Sequence, residues 1–293
     1  MTTPLSEFDT ALTLTPVDST SARSGGGPAF TAQLSDRWAI GGAVNGGLLL
    51  ALLGKAASRA GEHSASGSVH PDPLAISAHY LSASVRGPAR IETEIVRSGR
   101  TTSVVSVHLE QKQDDKPTGR VRALVTTGDL DALDGPEFIT PPCPELPPPD
   151  QCYATTDTPQ GFKSPGPFTE RLDVRLTPGS VAWALGDFSA PGTFNAWIRF
   201  PDGREPDPIS LLQIVDALPP VTYTWGHFGW APTVELTAYV RARPAPGWLS
   251  MQISTSTYAR GFLEEDVQVW DSTGELVAQA RQLASAPRFT QKT

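Results

Sequence analysis

Asp216 is hard to explain by stability alone. Within residues 208–218 it follows Ile209 and Leu212 at spacings that share one helical face, with Leu211, Val215 and Leu218 beside it. A carboxylate in an apolar row must find hydrogen-bond donors, raise its pKa or face a cavity, because an unpaired buried charge costs several kcal/mol. Those are also the conditions of a general base. Alternatively, a rotated helix would leave Asp216 capping or pairing near its C-terminal end. Two polar strand residues are candidate companions: Thr233 opens the strand after the helix, and Gln282 shares the parity of Leu276, Ala278 and Ala280. Gln282 could equally be an edge-strand amide facing water.

The run Gly41-Gly42-Ala43-Val44-Asn45-Gly46-Gly47 leads into an apolar helix. It lacks the spacing of a dinucleotide fingerprint and has no acidic ribose reader in a βαβ unit. Its glycines would let a ligand approach the free N–H groups at a helix start, where the dipole favours negative charge. Asn45, Gly46 and Gly47 are therefore candidate oxyanion or substrate-binding residues. The competing reading is that the glycines only let helix and sheet pack closely. No Gly-x-Ser-x-Gly elbow, phosphate loop or His-Glu-x-x-His helix occurs.

The other polar residues read as structural. The five histidines show no metal-ligand spacing; His79 could line a pocket but fits better as a sheet histidine. Glu264-Glu265-Asp266 reads as a solvated strand start, though it could instead repel or position a polar ligand. Cys143 and Cys152 in a Pro-rich stretch cannot build a thiol zinc site, and reduced thiols are expected. A net charge of -8 argues against nonspecific nucleic-acid binding. With no secretory signal and no apolar run near ~20 residues, the reading is cytoplasmic, without a membrane partner.

The elements that must position these groups occur twice. Residues before 30 form a Ser, Thr and Gly-rich lead. A strand at 30–40 precedes the apolar helix from Gly46, and strands follow at 74–81, 89–98, 101–112 and 120–127. After a Pro-rich linker at 140–167, the second half predicts strands at 168–176 and 194–200. Its helix is capped by Asp207 with Pro208 at its first position, and strands follow at 233–241, 249–259, 261–270 and 276–285. Tyr80 and Tyr239 correspond in the two copies. A repeat near half the chain length points to two units packed as a pseudo-dimer. The expected fold is α+β, a double hotdog of two antiparallel sheets, each wrapped on a central helix and joined edge to edge. Its divisions are 1–139, the linker 140–167, and 168–293.

The order of Asp216, Thr233 and Gln282 on helix, strand and last strand, with Gly46-Gly47 and His79-Tyr80-Leu81 in the first half, resembles the bacterial double-hotdog acyl-CoA thioesterases. The resemblance spans residues 30–285. It implies hydrolysis of acyl-CoA to a free acid and coenzyme A, with water held by Asp216, Thr233 and Gln282, and with backbone amides near Gly46 and Gly47 facing the oxyanion. It implies no cofactor or metal, and a homo-oligomer of dimeric or tetrameric form. Leu48 departs from it, standing where better-known members carry Gln. The alternatives are a hotdog hydratase or dehydratase, which needs a His with an Asp near a helix start, and a non-catalytic acyl-CoA-binding protein.

Overall fold

In the computed structural model, residues 5–17, 27–62, 69–133, 138–155, 166–189 and 192–286 are described. Parts of the lead (1–4 and 18–26), of the loop after the first long helix (63–68) and of the linker (156–165) lie outside them, whereas the rest of the lead holds a short helix (Glu7–Ala11) and a strand (Thr15–Val17).

In chain order the elements of the first half are α1 (Glu7–Ala11), β1 (Thr15–Val17), β2 (Ala29–Leu34), β3 (Ala39–Ile40), β4 (Ala43–Val44), α2 (Gly46–Gly61), β5 (Asp72–Tyr80), β6 (Gly87–Ser98), β7 (Ser103–Gln113) and β8 (Lys116–Gly128). The second half adds β9 (Tyr153–Ala154), β10 (Asp173–Leu176), β11 (Thr193–Arg199), α3 (Pro208–Ile214), β12 (Thr233–Val240), β13 (Leu249–Ser254), β14 (Tyr258–Ala259), β15 (Phe262–Trp270) and β16 (Leu276–Ser285).

Where two joined sheets were expected, the described residues form one continuous 14-stranded antiparallel sheet, with β3 and β4 as a separate pair. Its seam is β5 against β12, with Ser77 opposite Thr237. Outward from that seam, β5-β8-β7-β6-β2 answers β12-β16-β15-β13-β11. Each half thus hides one strand edge in the other, removing a site of stray pairing.

Helix α2 is buried almost all round, as its unbroken apolar run predicts, and lies against β5, β6, β7 and β8. It also crosses α3 at close range: a Cβ on Gly54 would sit 2.3 Å from Leu212 Cδ1. Asp207 caps α3 by accepting from Ser210 N at 2.7 Å, with Pro208 at the first helical position. That helix ends earlier than its pattern suggests, at Ile214 instead of 218, and Pro219-Pro220 then leads into the 3-10 turn Val221–Trp225.

Other expectations shift for local reasons. The strand expected at 30–40 breaks at Leu34, where Ser35 caps a 3-10 turn, Asp36–Trp38, that buries Trp38. The strand expected at 168–176 begins only at Asp173, behind the 3-10 turn Pro167–Glu170. The paired tyrosines do not match: Tyr80 faces the interior, whereas Tyr239 is exposed on the outer face, because strand parity separates them. The described linker residues lie along the second half. Trp270 Nε1 donates to the Pro141 carbonyl at 3.1 Å, Trp197 Nε1 to that of Pro147 at 2.8 Å, and β9 pairs with β10. Both cysteines are free thiols, and no helix among the described residues is long and apolar enough to cross a membrane.

Candidate active site

The start of α2 and the end of α3 meet at Asp216. Asn45, the N-cap of α2, accepts from Leu48 N at 3.1 Å and from Gln213 Nε2 at 2.9 Å through its Oδ1. Its amide nitrogen donates to the Asp216 carbonyl at 3.3 Å and to Oδ2 at 3.4 Å. The shortest contact is the Gly47 N–H, which donates to Asp216 Oδ2 at 2.7 Å. Such closeness needs glycine: a Cβ on Gly47 would lie 2.7 Å from the Gln213 carbonyl oxygen, and one on Gly46 2.8 Å from Asp216 Oδ2. Tyr80 closes the corner, its hydroxyl donating to the Gly46 carbonyl at 2.9 Å.

Asp216 is therefore inward-facing as expected, but in the turn beyond the helix instead of within it. The residue is half-buried, at the wall of a cavity. Burial pushes its pKa up to about 7, outweighing the Gly47 and Asn45 hydrogen bonds that favour the carboxylate.

A second polar group comes from three strands of the second half. Thr233, at the start of β12, donates through Oγ1 to Gln282 Oε1 at 2.7 Å. Gln282 on β16 donates through Nε2 to Glu265 Oε2 on β15, and Glu265 Oε1 accepts from Val221 N at 2.7 Å. Glu265 is only 2% exposed. Burial first, and repulsion from Asp216 and Glu264 after it, raise its pKa to about 7 against the Val221 and Gln282 hydrogen bonds. This corrects the solvated reading of Glu264-Glu265-Asp266: Glu265 shares the parity of the buried Leu263, Val267 and Val269. That alternation is the sequence signal that could have found it.

Both groups open on one cavity of about 520 Å³, a size suited to a small-molecule ligand. Asn45, Gly46, Tyr80, Asp216, Thr233, Glu265 and Gln282 line it, and no Lys, Arg or His does among the described residues. Its apolar wall includes Leu49, Phe168, Leu172, Val174, Trp183 and Tyr223. Asp216 and the Thr233–Gln282 pair thus share a chamber, although Asp216 takes its hydrogen bonds from Asn45 and Gly47 and not from Thr233 or Gln282.

Gly47 departs from its expected part. Its N–H is engaged by Asp216, and it does not line the cavity. Gly46 does, and at the first position of α2 its N–H has no acceptor within the helix. His79 is exposed on the outer face of the sheet, away from the cavity. Among the described residues no three His, Cys, Asp or Glu side chains gather as a metal set.

Comparison with known proteins gives the same architecture. An uncharacterized protein of Mycobacterium tuberculosis is 35% identical over 299 residues, covering 96% of this chain and 98% of its own. The crystal structure of a candidate thioesterase II from Thermobifida fusca superposes with a TM-score of 0.79 at 31% identity, covering 98% of this chain and 99% of that one. A hot dog fold protein from Alicyclobacillus acidocaldarius, 21% identical, shares the fold with a TM-score of 0.74 over 98% of this chain and 100% of its own. Residues 34–128 match the acyl-CoA thioesterase N-terminal domain, and residues 148–286 match the C-terminal domain. Since the two matches follow one another along the chain and take up most of its length, the protein belongs to the double-hotdog acyl-CoA thioesterase family.

Proposed function

We propose that the protein hydrolyses acyl-CoA thioesters, with Asp216 as the general base. The observation that carries this reading is the half-buried Asp216 carboxylate, anchored to the start of α2 and sharing its cavity with Thr233 and Gln282. Ionised, Asp216 accepts a proton from a water held with Thr233 and Gln282, and the water oxygen attacks the thioester carbonyl carbon. The Gly46 N–H, at the positive end of the α2 dipole, faces the oxyanion that develops. When the tetrahedral intermediate collapses, the C–S bond breaks and the proton on Asp216 passes to the leaving thiolate, giving a carboxylic acid and coenzyme A.

The acyl chain lies along Phe168, Leu172, Val174 and Trp183, where each buried methylene contributes ~0.8 kcal/mol. With its carboxyl at about pKa 7, Asp216 is protonated in acid, so turnover rises as pH climbs through that value. We place the activity in the cytoplasm, carried out by an oligomer of this chain.

Thiol release from a panel of acyl-CoAs of increasing chain length, followed with a thiol reagent, tests the proposal. Turnover of one or more chain lengths, lost in a folded Asp216→Asn variant, is the expected result. Tight binding of acyl-CoA without thiol release would favour a carrier instead, and undiminished turnover by Asp216→Asn would remove the base.

A further inference from the structure

Glu265 has no part in the reaction just described, yet it is the most deeply enclosed carboxyl in contact with the reacting groups. Its two oxygens have unequal partners. One receives the N–H of Val221, a backbone donor that cannot change its role. The other faces the side-chain amide of Gln282, which can turn over and present either its oxygen or its nitrogen.

We propose that Glu265 is a positioning residue that fixes the direction of the Thr233–Gln282 hydrogen-bond chain. This rests on the hydrolase reading above. An ionised Glu265 only accepts, so the amide must turn its NH2 toward it. Gln282 then offers its oxygen to Thr233, whose hydroxyl hydrogen is used in that bond. The lone pairs of Thr233 and the second N–H of Gln282 are left for a ligand, one accepting and one donating. A water in that place donates one hydrogen to Thr233 and the other to Asp216, and receives the Gln282 N–H. Its oxygen keeps a lone pair for attack.

A protonated or neutral side chain at position 265 reverses this order. With Val221 still held by one oxygen, an O–H or N–H at the other turns the Gln282 oxygen inward and its NH2 toward Thr233. Thr233 must then accept, and its hydrogen points at the water oxygen, occupying the lone pair needed for attack. Among the described residues, the ionisable ones lining the cavity are Asp216, Glu265, Tyr80 and Tyr223. Glu264 adds negative charge from the same strand, while Arg281 on β16 is held on the outer surface by Asp266. With no cation among the described lining residues to hold it ionised, Glu265 depends on the Val221 and Gln282 donors, and its raised pKa brings the reversal into the neutral range. The acid limb of turnover is then governed by two interacting carboxyls, Asp216 and Glu265, in place of one.

The experiment measures kcat and KM for acyl-CoA hydrolysis between pH 5 and 9 in the unaltered enzyme, Glu265→Gln, Gln282→Leu and the double variant, with folding checked by circular dichroism. Glu265→Gln should lower kcat roughly tenfold or more while KM moves little, as expected for a defect felt in the reaction step. In the Gln282→Leu background the same change should add less than about twofold, because the two act as a unit. The unaltered enzyme should lose turnover in acid more steeply than one proton allows, and Glu265→Gln should return the limb to a single ionisation. A wild-type kcat and acid limb in Glu265→Gln would overturn the proposal, as would its full effect persisting without Gln282. Should Glu265→Gln fail to fold, the limb of the unaltered enzyme decides, and a one-proton limb down to pH 5 rejects the proposal. Absence of thiol release from the unaltered enzyme would instead overturn the activity, and this role with it.

Discussion

On the second-half side of the seam, one row of the sheet runs Leu236, Gln282, Glu265 across β12, β16 and β15. The pseudo-equivalent strands of the first half carry Ala78, Ala123, Val107 in one such row and Ile76, Val125, Val105 in the next. All six are buried and apolar. The helices differ in step with the rows: α2 has 16 residues and lies across four strands, whereas α3 has seven and ends before the polar row. Where the helix continues, the sheet beneath it has to be apolar; where the helix stops, a cavity opens and the sheet can carry groups that hydrogen-bond. The same architecture therefore supplies a scaffold on one side and, on the other, a polar-lined cavity that we propose as the reaction chamber.

The sharpest way to break this contrast is to alter the chemistry on one side only. Asp216→Asn should lower kcat by about 10²- to 10⁴-fold, the usual range for losing a general base, while Val107→Ala in the apolar row should leave kcat nearly unchanged. Equal losses of turnover would erase the distinction. Next in size is a packing difference. Leu50→Ala, at a fully buried position of α2, should cost about 2–5 kcal/mol in chemical denaturation, and Ile209→Ala, at a partly buried position of α3, clearly less. If the two costs match, the short helix is as deeply integrated as the long one.

Stability should also record which half holds the unusual carboxyls. Asp216 and Glu265 titrate at about 7 in the folded chain, against ordinary values of 3.8 and 4.5. Between roughly pH 4 and 7 the folded state thus binds more protons than the unfolded one, and this stabilising contribution, complete in acid, is lost as pH rises through 7. Asp216→Asn should flatten that decline, leaving the variant more stable than wild type at pH 8 by on the order of 1–3 kcal/mol. A gain seen only at pH 5 would have the wrong sign. An effect no larger than this is expected from Ala123→Gln, which adds an amide to the apolar row without a counterpart of Glu265. It should cost about 1–3 kcal/mol with kcat unchanged, and no cost at all would mean that a hidden space exists there too.

Much of this was legible in the residues, for physical reasons that also mark where legibility ends. Period-two alternation located β5 to β8 and β12 to β16, and the all-apolar run after Asn45 located α2, because burial imposes those patterns directly. The inward direction of Asp216 followed from its apolar neighbours, but not the early end of α3, which depends on how the chain must turn at Pro219-Pro220 to reach Val221–Trp225. Glu265 was obscured by Glu264 and Asp266, although strand parity separates it from both. Gly47's engagement with Asp216 joins residues 169 positions apart, and no local pattern encodes a contact of that range. The Tyr80 and Tyr239 pairing failed by one residue of register, which in a strand is the difference between inside and outside.

The carboxylate that the second half presents to its chamber is held at its tip by an amide belonging to the first. Neither half, made alone, would complete the proposed general base. Joining them in one polypeptide guarantees the correct partner in equal number, and it frees each copy from duplicating the other's equipment. The first copy can drift toward a purely supporting body so long as it keeps Asn45 and its two glycines, and the second can tune its chemistry without rebuilding the platform on which that chemistry rests.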